Sequence, residues 1–223
     1  MKRLRFMAAL CMVAMLGFTA CDGEGEKNEE TAENTEIQEA DPHAGHNHGA
    51  GEHGGGMEGE GSGEPLEPMT FDQPAAEVQA MVSEVMSDYL DIKTSLSQDN
   101  AEGAAHAAGP FVQRRNNVPD WDNVPAEQKD YLKKALQQAS NDAVSINVTQ
   151  NIDMQRKSFE GLSATMYALA KTFGTEDKLY YQYCPMAFDN KGAYWISAEE
   201  EIMNPYFGDA MLKCGRVEET IEM

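Results

Sequence analysis

The chain has 223 residues, with 38 acidic against 17 basic side chains and a net charge of −21. No basic patch is available to replace the counterions of a phosphate backbone, so the composition excludes a nucleic-acid binder. The charge is also unevenly spread, and the chain divides into parts on that ground.

Lys2, Arg3 and Arg5 open the chain, an apolar run follows from Phe6 to Phe18, and small residues lead to Cys21. Basic, apolar, small is the order of a secretory signal. The run falls short of the roughly 20 apolar residues that a permanent transmembrane helix needs. Phe18-Thr19-Ala20-Cys21 resembles the lipobox of bacterial lipoproteins, with Phe18 where a leucine is usual. The resemblance implies a signal peptide over 1–20, cleavage before Cys21 and lipid on that cysteine. The protein would then be held in the cell envelope, in the periplasm or at the outer-membrane surface, with a membrane as its first partner.

Residues 21–70 follow as an acidic stretch with Lys27 as its only base, and they hold more than half of the chain's 19 glycines. Low hydrophobicity with high charge cannot bury enough surface to offset chain entropy, so a disordered tether is expected. Within it, His43, His46, His48 and His53 sit among glycine and alanine. Imidazole suits copper, zinc and nickel, and a flexible segment can wrap several rings around one ion. The tether is thus a candidate capture arm.

The remaining segment, 71–223, is long enough for one domain with its own core. Val78, Val82, Val85, Tyr89, Ile92 and Leu96 form the stripe of an amphipathic helix. An alanine-rich second helix is predicted to stop near Gly109-Pro110. Tyr131, Leu132, Ala135 and Leu136 suggest a third. A fourth is predicted from about Asp142 to Phe173, with Val148, Ile152, Phe159, Leu162, Met166 and Leu169 on its stripe. The expected fold is mainly α: an up-and-down four-helix bundle. "KLYYQYC" and "AYWIS" then predict a C-terminal β-hairpin, followed by a short irregular or helical tail.

Cys184-Pro185-Met186 lies near the expected bend of that hairpin, and Met211 precedes Cys214 by three residues. With Cys11 removed and Cys21 lipidated, Cys184 and Cys214 are the free thiols of the mature chain. Outside the cytoplasm such a pair is a disulfide candidate. Thiolate and thioether are also soft ligands that select Cu(I), so Cys184, Met186, Met211 and Cys214 form an alternative metal site. Met86 and Met166 lie on apolar stripes and read as core. Met154 and His106 fall off their helices' stripes and are further candidate ligands. The ligand spacing of structural zinc is absent.

The residues Tyr183–Ala187, Gly192, Trp195–Ser197, Asn204–Gly208 and Met211–Gly215 resemble an uncharacterised domain of Gram-negative exported proteins and lipoproteins. That domain is also found appended to periplasmic adaptors of copper and heavy-metal efflux pumps. "QRKSFEGLS" from Gln155 is similar to the family's helix, in which a histidine often stands where Met154 stands here. The resemblance covers roughly 75–221 and implies a helical domain that handles copper or another heavy metal.

Two functions follow. The first is a lipoprotein that binds copper, Cu(I) preferred, for sequestration or for transfer to an efflux or uptake complex. Zinc or nickel is a further possibility at the tether. The second is a structural or interaction module stapled by a Cys184–Cys214 disulfide, with no metal site in its domain. No nucleophile–base pair, phosphate loop or paired acids with distinctive spacing point to an enzyme.

Overall fold

A computed structural model of the chain describes residues 65–114 and 117–222. Four helices come first: α1 (Ala76–Ser97), α2 (Ala101–Arg114), α3 (Ala126–Asn147) and α4 (Ile152–Phe173). Each packs against the next, and α4 returns to α1, which is the up-and-down arrangement. The predicted stripe of α1 is wholly buried, from Val78 to Leu96. Phe159, Leu162, Met166 and Leu169 fill the core from α4, and Met86 and Met166 are core residues as expected.

Two helix boundaries differ from the expectation. The second helix runs through Gly109-Pro110 to Arg114. Pro110 is exposed, so the intrahelical hydrogen bond it cannot donate is lost on the solvent side of the helix. Buried Phe111 holds the last turn inward, and Arg114 reaches Asp88 and Glu84 of α1. The fourth helix does not begin near Asp142. The chain turns between Asn147 and Ile152, and Asn151 caps α4 by accepting from the Asp153 and Met154 amides. Val148, placed on the stripe by its spacing, is 74% exposed in that turn.

Packing also reaches back beyond the domain start expected at residue 71. Leu66 is buried, Tyr131 Oη donates to the Glu67 carbonyl, and the Met69 amide donates to Thr172 Oγ1. Phe71 stacks on Phe173 at 5.5 Å. The lipidation candidate Cys21 and the tether histidines His43, His46, His48 and His53 lie outside the described residues.

The C-terminal part is a three-stranded antiparallel sheet rather than a hairpin with an irregular tail. Its strands are β1 (Leu179–Cys184), β2 (Ala193–Ser197) and β3 (Arg216–Ile221), in the order β2-β1-β3. β3 alternates exposed Arg216, Glu218 and Thr220 with the less exposed Val217, Glu219 and Ile221, the pattern of an edge strand with one face toward the protein. Strand alternation puts Tyr181, Tyr183, Tyr194 and Ile196 on one face and Gln182, Cys184 and Trp195 on the other. The first face meets the bundle. Tyr181 stacks on Tyr167 of α4 at 4.1 Å, and the Ile196 amide donates to Tyr89 Oη of α1. The second face is covered by residues 198–215, whose Glu199 and Glu200 carbonyls accept from Gln182 Nε2.

Candidate functional site

The two cysteines meet at one end of this sheet. Cys184 closes β1 opposite Ala193, and Tyr183 pairs with Arg216 across to β3. That register draws Cys214, two residues ahead of β3, onto Cys184. Their sulfurs lie 3.0 Å apart as free thiols. Cys184 is fully buried and Cys214 half-buried, so the pair has an inner and an outer sulfur. The Cys184 thiol beside it, together with burial, pushes the Cys214 thiol up, and the Met186 amide on its sulfur opposes this. At Cys214 the neutral thiol is therefore favoured.

The segment that carries Cys214 is tightly fastened. Asn204 is fully buried and uses both ends of its amide: Nδ2 donates to the Cys214 carbonyl at 2.7 Å, and Oδ1 accepts from the Tyr206 amide. Its own amide donates to the Leu212 carbonyl, and the Cys214 amide turns back to Met211. Gly215 lies against Trp195 and the Tyr183 carbonyl, where a Cβ would come within 2.9 Å of both. Arg156 of α4 joins this segment to the bundle. Its Nε donates to the Pro205 carbonyl, and its terminal nitrogen donates to Leu96 O and to Asp99. Asp99 in turn accepts from the Asp209 amide.

On the Cys184 side the chain enters an unusual turn. Phe188, Asp189 and Asn190 all have positive φ, at 49°, 56° and 68°. For side chains with a Cβ this left-handed region costs roughly 1–2 kcal/mol per residue, least for Asn and Asp. The Gly192 amide donates to Ala187 O, and Lys191 donates to Phe188 O. Phe188 packs edge-on against Tyr206, and Lys191 pairs with Glu160 of α4.

Met186 is 46% exposed beside the pair, and Met211 is half-buried on the turn that ends at Cys214. His106 is exposed on α2, and Met154 is 58% exposed in the first turn of α4. These two lie at the end of the bundle where α1 and α3 finish and α2 and α4 begin. Among the described residues no cluster of three or more His, Cys, Asp or Glu side chains is assembled. Any further donor to the cysteines must be a thioether, a backbone group or a group from elsewhere.

The sulfur pair suits a soft ion sterically. With metal–sulfur bonds of about 2.3 Å, two thiolates on one three-coordinate ion stand about 4.0 Å apart. The two sulfurs, 3.0 Å apart, need to part by about 1 Å to reach that, a side-chain adjustment.

Sequence reasoning did not single out Asn204, Arg156 or Gln155 for a role. Gln155 is fully buried at the start of α4, and its Nε2 donates to Ala101 O, Ile146 O and Thr149 O, tying three helix ends together. The Gln-Arg and Asn-Pro-Tyr-Phe-Gly stretches are thus fasteners that place the sulfur-bearing segment. The available signal was their polar character inside otherwise apolar elements.

Residues 85–178 match a family model described as a protein of unknown function, DUF3347. No curated protein matches the chain, and no solved structure does. The family match spans most of α1, all of α2, α3 and α4, and ends one residue before β1. It therefore covers the bundle and leaves Cys184 and Cys214 outside. The helical part of this chain is similar to an uncharacterised domain family.

Proposed function

We propose that this protein is an exported, lipid-anchored metal binder whose folded domain takes up a soft ion, Cu(I) foremost, at Cys184 and Cys214. The observation that carries this reading is the pair of sulfurs 3.0 Å apart, one buried and one half-exposed, with Met186 and Met211 alongside. Two thiolates and nearby thioethers favour a low-coordinate soft ion, whereas structural zinc asks for four ligands. On this reading His43, His46, His48 and His53 collect ions, and the domain holds them for sequestration or for transfer to an efflux or uptake complex. The earlier resemblance to a domain appended to metal-efflux adaptors supports the same context. Binding and transfer require no catalysis.

The test is a Cu(I) titration of the full chain against a chromophoric chelator, with the four tether histidines replaced by alanine. One tight equivalent is expected, absent in Cys184→Ser and in Cys214→Ser. If both single variants bind as the parent does, the domain site does not exist.

A second reading shares the same observation, since sulfurs at 3.0 Å need close by only about 1 Å to bond. A disulfide across these 30 residues would stabilise the fold by about 3–4 kcal/mol. Native protein whose thiols react only after reduction, and which binds no Cu(I) once reduced, would decide for the staple.

A further inference from the structure

We propose that Cys184 and Cys214 are a thiol–disulfide exchange pair for a low-molecular-weight disulfide. Cys214 is the sulfur that takes the incoming group, and Cys184 is the one that expels it. The proposal rests on the placement of the two sulfurs, and on neither reading of the site as a metal centre or a permanent staple.

Exchange runs through a mixed disulfide, so it needs one sulfur within reach of solvent and a second within reach of the first. The fold supplies one of each. Cys184 lies on the covered face of the sheet and is fully buried. Cys214 is half-buried, on a strip from Met211 to Arg216 in which every residue is half-buried or exposed. The backbone of Cys214 is held at both ends: its carbonyl accepts from Asn204 Nδ2, and its amide donates to Met211 O. The side chain is left as the moving part, and closing the 3.0 Å between the sulfurs by about 1 Å forms the bond. No other cysteine lies between residues 65 and 222.

The steps balance with the disulfide RSSR as the oxidant. The Cys214 thiol gives up its proton and its sulfur attacks one sulfur of RSSR. The Cys214–SR bond forms, the RS–SR bond breaks, and the leaving thiolate takes up that proton. Cys184 then loses its proton and attacks the Cys214 sulfur, expelling the second thiolate, which is protonated in turn. Two protein thiols are oxidised to one disulfide, and RSSR is reduced to two RSH. A disulfide on unbranched methylenes suits a half-buried sulfur. The neutral thiol favoured at Cys214 slows the first step without redirecting it, because Cys184 is out of reach of solvent.

The test uses the full chain carrying Cys11→Ser and Cys21→Ser, reduced, under anaerobic conditions with a chelator present, and oxidised glutathione as the probe. Mass spectrometry of acid-quenched samples should find this parent converting to the internal disulfide. Adding Cys184→Ser should make one glutathione accumulate on Cys214. Adding Cys214→Ser instead should slow glutathione uptake by about tenfold or more, a difference that guanidinium chloride abolishes. Serine at the buried position can unfold a variant, so the native parent is also labelled with limiting iodoacetamide, and the label should fall on Cys214 first. Equal labelling of the two cysteines in the native parent overturns the proposal. So does glutathione that stays on Cys214 in the parent without closure to the disulfide. Equal uptake by the two single variants, both with the parent's far-ultraviolet circular dichroism, overturns it as well.

Discussion

Arg156→Met removes the fastener between the bundle and the segment that carries Cys214. Arg156 is 8% exposed and donates to Pro205 O at 2.9 Å, Leu96 O at 3.2 Å and Asp99 Oδ1 at 2.6 Å. Methionine fills much of the same volume, so the loss is chiefly polar. Pro205 O then loses its side-chain donor in a buried setting, at about 1–3 kcal/mol. Leu96 O keeps the Asp99 amide, so its loss is smaller. The Asp99 side chain is 40% exposed, which limits the ion pair to under about 1 kcal/mol. Together the expected destabilisation is about 2–4 kcal/mol, or a thermal midpoint about 4–15 °C lower. Urea unfolding followed by far-ultraviolet circular dichroism measures it, with an unchanged m-value showing that the unfolded state is the same. Arg156→Lys should recover little, because one ammonium on a flexible stem cannot reproduce a planar fork aimed at three acceptors. In both variants the Cys214 thiol should alkylate faster under native conditions. A loss below about 1 kcal/mol, or full rescue by lysine, would refute the claim that this guanidinium fastens the segment.

Gly192→Ala should destabilise by about 1–3 kcal/mol in the same assay, since φ is +81° there and a Cβ would meet Tyr183 Oη. Tyr183 cannot yield freely, because its ring lies against Tyr194 and under Arg216. Acid titration of stability offers a further check. The Asp209 amide, with Arg156 beside it, holds Asp99 below its ordinary 3.8. A depressed carboxylate pKa contributes stability above 3.8 that is lost as pH falls through the lower folded value. Glu199 and Glu219 contribute in the same sense below 4.5: in each, burial is outweighed, by Lys93 and Ser197 in the first and by Lys171 and Tyr167 in the second. Asp99→Asn, which keeps a side chain that tolerates the positive φ at this position, should be less stable than the parent at pH 6. It should also lose less between pH 4 and pH 2. An acid limb as steep as the parent's would show that Asp99 has no part in it.

The helices were legible because burial on one side imposes a period near 3.6, and the stripe of α1 shows it from Val78 to Leu96. Their ends were less so. Val148 stays in phase with Ile152, yet the chain turns there, because Asn151 offers the following amides a cap that the stripe does not register. Pro110 reads as a stop, but a helix passes through it when the next turn gains Phe111 in the core and Arg114 on two acids. β3 escaped notice because an edge strand buries one side only, and three of its six residues, Arg216, Glu218 and Glu219, are charged.

By itself the sequence determined which atoms could matter: two thiols, each with a thioether within three residues, after four amphipathic helices. Local composition suffices for that, since softness belongs to the side chain and periodicity to the backbone. Only the tertiary structure decided that Cys184 and Cys214 meet, that one is buried, and that Arg156 and Asn204 fasten the segment that carries the other. Those facts depend on strand register and on contacts between residues as far apart as Asp99 and Asp209. No local pattern encodes such pairings, because the free energy that selects them comes from burying both partners at once.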